Sequence, residues 1–241
     1  MRVIVSGASG YMGREVIALC EKGYKNSTLA GKIDVVGEGV YPSLGSCPVE
    51  ADVLVDFSFH TATENLLKDA IKKNLPCVIA TTGHTEEEKK FIIEASKKIP
   101  VFFTANYSLG VAVTAKLVKE AVSYIDGDVE IIETHHNRKV DAPSGTALML
   151  ANQILEVKPE LKIKAGRVGN AKREQNEIGI QSIRMGNVVG IHEVMINTGN
   201  ETLTIRHEAH ARSLFANGAL VAAEYLIGKK PGLYDMKSIL K

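Results

Sequence analysis

The chain has 241 residues, 45% of them hydrophobic and 24% charged, which is an ordinary globular composition and excludes a disordered or fibrous protein. Its 29 lysines and arginines against 28 aspartates and glutamates leave a net charge of +1, so no overall field attracts nucleic acid or an anionic membrane. No apolar run is long enough to span a membrane and no charged leader precedes an apolar segment, which predicts a soluble, cytoplasmic protein.

The first 108 residues alternate between short apolar strands and stretches of helical periodicity. The predicted strands cover residues 3–5, 29–33, 53–57, 77–80 and 101–103. Two capping boxes, Thr61 with Glu64 and Thr85 with Glu88, predict helix starts between them. Strands joined by crossover segments in this way indicate an α/β fold with a Rossmann-like, doubly wound parallel sheet.

The pattern changes after Tyr107. A long helix around residues 113–125, a strand at 129–134 and a helix at 145–155 are followed by strands at 181–185, 188–196 and 201–207. Turn-type sequences at 185–187 and 198–200 predict hairpins between these strands, and therefore an antiparallel sheet. Residues 162–177 have no clear period and predict a long loop, whereas residues 214–227 predict a last helix that ends at Gly228.

A glycine-rich loop lies directly between the first strand and the first helix. It reads Gly7-Ala8-Ser9-Gly10-Tyr11-Met12-Gly13. Bare backbone at such a position lets a pyrophosphate approach the helix N-terminus, where unpaired N–H groups favour negative charge. Glycine loops also occur as simple turns, so the position after a strand and before a helix is what favours dinucleotide binding.

Asp34 ends the second strand, near the offset at which an acid meets the adenosine ribose of a dinucleotide. A simple turn aspartate is the alternative interpretation. Lys32 and Arg14 are cations that could tolerate a 2′-phosphate, so the residues leave both NADH and NADPH open. The loops at 80–83 and 104–107 follow the fourth and fifth strands, at the strand ends where doubly wound folds bind ligands, and ordinary turns are their alternative.

The densest cluster of chemical groups runs from Glu133 to Ala147. Adjacent histidines at a strand end point to opposite sides, so His135 and His136 are expected to have different roles. Together with Arg138 and Lys139 they form a local cationic pocket, which favours an anionic substrate. The helix start at residues 144–146 predicts a carboxylate cradle in addition to a helix cap. A metal site is less well supported, because no partner with metal-ligand spacing accompanies the two histidines.

These motifs resemble one known family, the 4-hydroxy-tetrahydrodipicolinate reductases (dihydrodipicolinate reductases) of bacterial lysine and diaminopimelate synthesis. The resemblance runs nearly end to end and is carried most specifically by residues 133–147, with further matches at 7–14, 55–58, 80–83, 105–110 and 215–219. It implies a cytoplasmic homotetramer. Residues 1–108 with 216–241 would bind the dinucleotide, and residues 109–215 would form an α+β domain with a mixed sheet that binds a small dicarboxylate and builds the tetramer.

The resemblance also implies roles for individual residues. His135 and Lys139 would be catalytic. The substrate would be held by His136, Lys139, Ser144, Gly145 and Thr146. NADH or NADPH would be held by Gly7, Ala8, Ser9, Gly10, Tyr11, Met12, Asp34, Ala80, Thr81, Thr82, Thr104, Ala105, Asn106 and Tyr107. Hydride from the nicotinamide would reduce a ring double bond after loss of water, with His135 supplying the proton and Lys139 stabilising developing charge.

Three residues depart from the family pattern: Tyr11 stands where arginine is frequent, Ala80 where glycine is usual, and Tyr107 where phenylalanine is found.

Two other functions remain as alternatives. One is a different NAD(P)-dependent oxidoreductase acting on an amino acid or semialdehyde, which would need another base or a catalytic cysteine. Cys20, Cys47 and Cys77 are instead expected to be buried free thiols. The other is a non-catalytic dinucleotide sensor, which would need none of the residues at 135–146.

Overall fold

The computed structural model describes residues 1–240 and divides into two compact units. The first consists of Met1–Ser108 together with the segment from Arg212 onward, and the second is Leu109–Ala211. The chain thus returns to the first unit at residue 212 rather than 216, directly before a helix begins.

The elements of each unit follow in chain order. The first unit opens with β1 (Arg2–Ser6), α1 (Tyr11–Glu21), β2 (Thr28–Ile33), β3 (Val53–Asp56), α2 (His60–Lys72), β4 (Cys77–Ile79), α3 (Glu86–Ser96) and β5 (Pro100–Phe103). The second contains α4 (Leu109–Tyr124), β6 (Asp128–His135), α5 (Gly145–Leu155), β7 (Lys162–Ala165), β8 (Glu177–Arg184), β9 (Gly190–Asn197) and β10 (Thr202–Ala209). The first unit is completed by α6 (Ser213–Leu226), β11 (Gly232–Tyr234) and α7 (Met236–Ile239).

In the part of the chain that the structure describes, the first unit contains a parallel sheet with the strand order β11-β5-β4-β3-β1-β2. Its central strands are buried on both faces, as the continuous apolar run Val53–Val55 predicts, because helices cover both sides of such a sheet. The doubly wound α/β prediction is confirmed. The carboxyl ends of β1, β3 and β4 meet at one edge, which brings the loops that follow them together.

One of the two predicted capping boxes is present. At α3 the Thr85 hydroxyl accepts a hydrogen bond from Glu88 N at 3.2 Å, while the Glu88 carboxylate accepts from Thr85 N at 2.7 Å. The box predicted at Thr61 is wrong, because α2 already begins at His60 and Thr61 lies inside its first turn. Glu64 forms an ion pair with Lys68 at 2.7 Å, one turn along the same helix.

The C-terminal segment adds two elements that sequence periodicity did not reveal, the strand β11 and the short helix α7. The strand β11 has three residues, too few to show a period, and pairs in parallel with β5 at the edge of the sheet. Helix α6 ends close to the predicted position, and Gly228 follows it with the positive φ of 73° that favours glycine after a helix.

The second unit contains a mixed sheet with the strand order β10-β9-β6-β8-β7. Strand β6 is antiparallel to β9 and parallel to β8. The hairpin predicted at 198–200 is confirmed, since β9 and β10 are antiparallel neighbours. The hairpin predicted at 185–187 is wrong, because β6 lies between β8 and β9 and separates the strands that this turn connects.

The predicted loop at 162–177 is also partly wrong. Its first residues form the edge strand β7, which pairs in parallel with β8, so the loop covers residues 166–176. Helices α4 and α5 cover one face of the mixed sheet around a core that includes Val118, Ile131, Leu150 and Ile154. Within residues 1–240, no helix combines the length and apolar character needed to cross a bilayer.

Candidate active site

In the glycine loop after β1, three backbone segments lie close together: the loop itself, the segment that follows β3 and the first turn of α1. Gly7 has a φ of 73°, and a Cβ placed on it would lie 2.5 Å from the carbonyl oxygen of Phe57. A Cβ on Gly13 would overlap the carbonyl oxygen of Gly7. Only glycine fits at these two positions, which lets the loop turn tightly against the strand ends.

The N-terminus of α1 is open to an anion. Gly10 caps it without a side-chain hydrogen bond, and no acidic residue lies in its first turn. The first intrahelical hydrogen bond is donated by Arg14 N to Gly10 O, so the amides of residues 11–13 point out of the helix without intrahelical acceptors. This arrangement fits a pyrophosphate.

A cavity of about 610 Å³ adjoins this loop and is lined by residues 34–36 and 57–59 among others. Asp34 follows β2 and lies at the rim of this cavity. Its Oδ2 accepts a hydrogen bond from Ser9 N at 2.9 Å, and its Oδ1 accepts from Val35 N at 2.7 Å. A carboxylate has lone pairs beyond these two, so Asp34 can still accept hydrogen bonds from ribose hydroxyls.

Two cations near this rim are tethered to backbone oxygens. Lys32 Nζ lies 3.5 Å from the carbonyl oxygen of Glu38, and Arg14 Nε donates to the carbonyl oxygen of Ser9 at 2.9 Å. Tyr11, which stands where the family often has arginine, is 62% exposed. Lys32 and Arg14 therefore already contact the backbone of the loops that follow β2 and β1, respectively.

The loop after β4 is anchored by a buried carboxylate. Asp56 is fully buried at the end of β3, where burial raises the pKa of its carboxyl. The Thr81 hydroxyl donates to Asp56 Oδ2 at 2.8 Å, and Ser58 N donates to Oδ1 at 3.1 Å. Ala80 and Thr81 are buried, whereas Thr82 is exposed. Asp56 thus fixes this loop against the segment that follows β3.

The loop after β5 is stabilised by hydrogen bonds between its own residues. The Thr104 hydroxyl and Asn106 N lie 3.4 Å apart, Asn106 Oδ1 accepts from Ser108 N at 2.8 Å, and Ala105 is exposed. Tyr107 is only 4% exposed, and its hydroxyl reaches the carbonyl oxygen of Ile79 at 2.8 Å. The phenol of Tyr107 therefore belongs to the core, and the contact of this loop with a nicotinamide stays a prediction.

In the second unit, a buried carboxylate at the end of β6 collects four hydrogen bonds. Glu133 has no exposed surface. Its Oε1 accepts from Ser144 N at 3.1 Å and from Arg184 Nη2 at 2.8 Å. Its Oε2 accepts from Arg184 Nη1 at 2.8 Å and lies 2.6 Å from His135 Nδ1. Burial alone raises the pKa of Glu133, but hydrogen bonds from Arg184 and His135 outweigh it and lower the pKa to about 2.

The two adjacent histidines occupy different environments, as strand alternation predicts. His135 is buried at the last position of β6, and His136 is half-buried in the loop that follows. Burial lowers the pKa of His135, while Glu133 opposes that shift. The ring of His192, on β9, packs edge-on against His135 with 5.1 Å between centroids. Burial lowers the pKa of His192 to about 4, so it is neutral at physiological pH.

Lys139 lies in the loop after β6 and forms an ion pair with Asp141, with 2.8 Å between Nζ and Oδ1. This contact lowers the pKa of the Asp141 carboxyl. Arg138 is exposed and donates to Asn187 Oδ1 at 2.9 Å. The next residue, Val140, is 97% exposed, so this loop lies on the protein surface at Lys139.

Helix α5 begins at the predicted N-cap, Ser144. The Ser144 amide donates to Glu133, and its hydroxyl accepts from Ala147 N at 3.2 Å and lies 3.0 Å from His192 Nε2. Both polar groups of Ser144 therefore have partners within the protein, and its contact with a substrate stays a prediction. The amides of Gly145 and Thr146 remain without intrahelical acceptors, and a Cβ on Gly145 would meet no atom within 4 Å. The open part of the cradle is at these two residues.

Several groups in these sites were not singled out from the sequence: Asp56, Glu133, Arg184 and His192. One signal was available, since Glu133 and His135 are two residues apart in a strand and therefore share a face. Arg184 and His192 reach the same place only because β8 and β9 flank β6. Among residues 1–240, no group of three or more metal-ligating side chains could hold a metal ion.

Comparison with known proteins finds one family along the whole chain. Residues 1–107 match the family described as dihydrodipicolinate reductase, N-terminus, and residues 110–240 match dihydrodipicolinate reductase, C-terminus. The 4-hydroxy-tetrahydrodipicolinate reductase of Caldanaerobacter subterraneus subsp. tengcongensis is 46% identical over 248 aligned positions, covering 100% of this chain and 98% of that protein. The protein of the same name from Clostridium novyi is 42% identical with the same coverage.

Solved structures share the fold. Dipicolinate-bound dihydrodipicolinate reductase from Paenisporosarcina sp. TG-14 superposes with a TM-score of 0.81 at 23% identity, covering 100% of this chain and 99% of that one. A probable dehydrogenase from Thermotoga maritima has a TM-score of 0.62 at 11% identity, covering 99% and 92% of the two chains.

Proposed function

The chain belongs to the dihydrodipicolinate reductase family, and from this premise we propose that it reduces 4-hydroxy-tetrahydrodipicolinate to tetrahydrodipicolinate with NADH or NADPH, in lysine and diaminopimelate biosynthesis. The reaction consumes one hydride and one proton and releases one water. The observation that supports it best is the buried Glu133–His135 pair beside the open helix start at Gly145. It combines a proton donor with an anion cradle, which is what reduction of a dicarboxylate needs.

The first unit would hold the coenzyme. The amides of residues 11–13 and the bare backbone at Gly7 and Gly10 fit a pyrophosphate, and Asp34 fits the ribose hydroxyls. The loops at 80–82 and 104–107 would face the nicotinamide, Tyr107 through its backbone only. When bound, the reduced nicotinamide supplies the hydride.

The second unit would bind the substrate and move the proton. The amides of Gly145 and Thr146 would hold one carboxylate, while His136 and Lys139 would hold the other. His135 would donate the proton to the carbanion-like or enamine-like centre that hydride addition leaves, and Lys139 would stabilise the negative charge that develops there. In the structure Lys139 is paired with Asp141, so a bound carboxylate would share or replace that contact.

We also propose a cytoplasmic homotetramer assembled through the mixed sheet. Helices α4 and α5 cover one face, whereas the other carries apolar side chains such as Ile183, which is 43% exposed. Light scattering on the purified chain tests the assembly, and a monomer at micromolar concentration would contradict it. The buried free thiols Cys20, Cys47 and Cys77 suit a reducing compartment and do not suit the cysteine-dependent alternative.

The activity can be tested with the purified chain and the condensation product of pyruvate and aspartate semialdehyde. Oxidation of NADH or NADPH should require both condensation partners and should match the tetrahydrodipicolinate formed. Omitting pyruvate is the control for direct reduction of the semialdehyde. Coenzyme binding without any turnover would instead support a dinucleotide sensor.

A further inference from the structure

We propose that Glu133 is the positioning residue of this active site: it holds His135 with a proton on Nδ1, so that Nε2 is the atom that gives a proton to the substrate. The proposal rests on the function proposed above and adds a residue that would not contact the substrate. Three observations carry it, namely the hydrogen bonds around the carboxylate, the glycine that faces Nε2 and the link to the start of α5.

The hydrogen bonds fix the direction of the His135 contact. The Glu133 carboxylate is contacted by Arg184, Ser144 and His135, and the Ser182 side chain is a further hydrogen-bond partner. An ionised carboxylate can only accept, so His135 Nδ1 must be the donor. After His135 gives up a proton from Nε2, the neutral ring that remains is the tautomer that Glu133 stabilises.

Arg184 keeps the carboxylate in its charged form. Both of its terminal nitrogens donate to Glu133 at 2.8 Å, the two-pronged contact that guanidinium and carboxylate form best. With a pKa of about 2, Glu133 does not take a proton from His135 at neutral pH. The carboxylate therefore acts through the histidine and does not replace it as the acid.

The other nitrogen of the ring lies opposite a glycine. His135 Nε2 makes none of the hydrogen bonds found among residues 1–240, and it faces Gly190 on β9. A Cβ on Gly190 would lie 3.1 Å from Nε2, closer than ordinary van der Waals contact, so glycine keeps this nitrogen uncrowded. The neutral His192 packs against the ring without adding a positive charge.

The same carboxylate also connects the proton donor to the anion cradle. Glu133 Oε1 accepts from the amide of Ser144, the residue that caps α5 directly before Gly145 and Thr146. One side chain thus sets the position of both the histidine ring and the helix start. Hydride and proton transfer depend on such mutual placement to within fractions of an ångström.

The first test is the tautomer of His135, measured by ¹⁵N NMR of histidine-labelled protein and assigned with the His135→Gln variant. We expect the neutral ring of the unsubstituted protein to carry its proton on Nδ1. In Glu133→Gln, the amide can also donate to Nδ1, so we expect the Nε2-protonated form to appear. The titration midpoint should also fall, because a negative neighbour is lost. The other charged or titratable groups that act on His135, namely Arg184, Lys139 and His192, are unchanged in this variant.

A matched control is Glu156→Gln at the end of α5. Glu156 is also ion-paired, with Lys119 Nζ at 2.7 Å, but it lies at the opposite end of this helix from Ser144. Its substitution should leave the His135 tautomer and titration unchanged. If Glu133→Gln fails to fold because the half-buried Arg184 loses its counter-charge, the double variant Glu133→Gln/Arg184→Gln removes both charges and should show the same tautomer change.

Kinetics give the second readout. In Glu133→Gln we expect kcat to fall about 10- to 100-fold, with KM for the dicarboxylate changed less than about threefold, because the glutamine oxygen can still accept from Ser144 N. The fall in rate at alkaline pH should begin at lower pH. A neutral His135 ring that carries its proton on Nε2 in the unsubstituted protein, or unchanged NMR and kcat in Glu133→Gln, would overturn the proposal. Absence of any reductase activity in the unsubstituted protein would refute the proposed function instead, and the NMR result would stand apart from it.

Discussion

Coenzyme choice can be predicted from the surroundings of Asp34, and the informative change is Asp34→Asn. The carboxylate already accepts hydrogen bonds from Ser9 N and Val35 N and is half-exposed at the rim of the cavity. Asparagine has the same shape and keeps one acceptor oxygen. The substitution therefore removes the charge with little change of volume.

The magnitude follows from two opposing effects. Two unit charges about 5 Å apart in water-like screening interact by about 0.8 kcal/mol, so a 2′-phosphate of nearly two charges is repelled by about 1.5 kcal/mol, roughly tenfold in affinity. Loss of a charge-assisted hydrogen bond to the ribose diol costs NADH about 1 kcal/mol, roughly fivefold. Asp34→Asn should shift the preference about 50-fold toward NADPH.

The unsubstituted enzyme should use both coenzymes and favour NADH by less than about 100-fold, because Lys32 and Arg14 lie near the loop and offset part of the repulsion. Raising the ionic strength should weaken NADPH more than NADH, since the additional phosphate is held through screened charges. The measurement is kcat/KM for each coenzyme at two salt concentrations.

The control is Glu38→Gln, which removes an exposed negative charge from the same loop but not from the cavity lining. It should change the coenzyme ratio less than about threefold. A ratio that Asp34→Asn leaves unchanged, or that Glu38→Gln shifts equally, would refute the placement of Asp34 beside the ribose.

Three further outcomes are expected. His135→Gln and Lys139→Ala should each lower kcat by about 10²-fold or more while the dinucleotide Kd stays nearly constant, and unchanged turnover in both would contradict their catalytic roles. Pyridine-2,6-dicarboxylate should compete with substrate in steady-state assays far better than pyridine-2-carboxylate, which leaves one cationic partner unpaired, and equal inhibition would contradict a two-carboxylate site. Burial lowers the pKa of His192 from 6.5 to about 4, so the unfolded chain binds the additional proton and the free energy of unfolding should decrease as pH falls through this window. Thermal melts of His192→Gln should show a shallower decrease there, and an identical slope would contradict the assignment.

Much of the first unit could be predicted because its signals are local. Short apolar strands, the glycine loop and the Thr85 capping box each depend on residues close together in the chain. The Thr61 box failed because the same spacing of threonine and glutamate also fits the interior of a first turn. Strand β11 was missed because three residues cannot show a period, although pairing with β5 is enough to order them.

The parts of the candidate site that are contiguous in the chain could also be predicted. The loop with His135 and Lys139 and the helix start after Ser144 are contiguous, so their chemistry could be interpreted directly. The environment of His135 was not predictable, because it depends on which strands flank β6. A turn at 185–187 suggested that β8 and β9 pair with each other, and only the insertion of β6 between them brings Arg184 and His192 to Glu133.

The division of the first unit between two distant stretches of chain has a consequence for folding during synthesis on the ribosome. The ribosome delivers residues 109–211 before α6 and β11, so the inserted unit has all its strands and helices available while its host is still unfinished. During that interval β5 is an open sheet edge, and the surface of α1 that α6 later covers is exposed. A nascent chain halted after Ser108 would keep this sheet edge and this α1 surface uncovered, and the segment from Arg212 onward is the one that covers them.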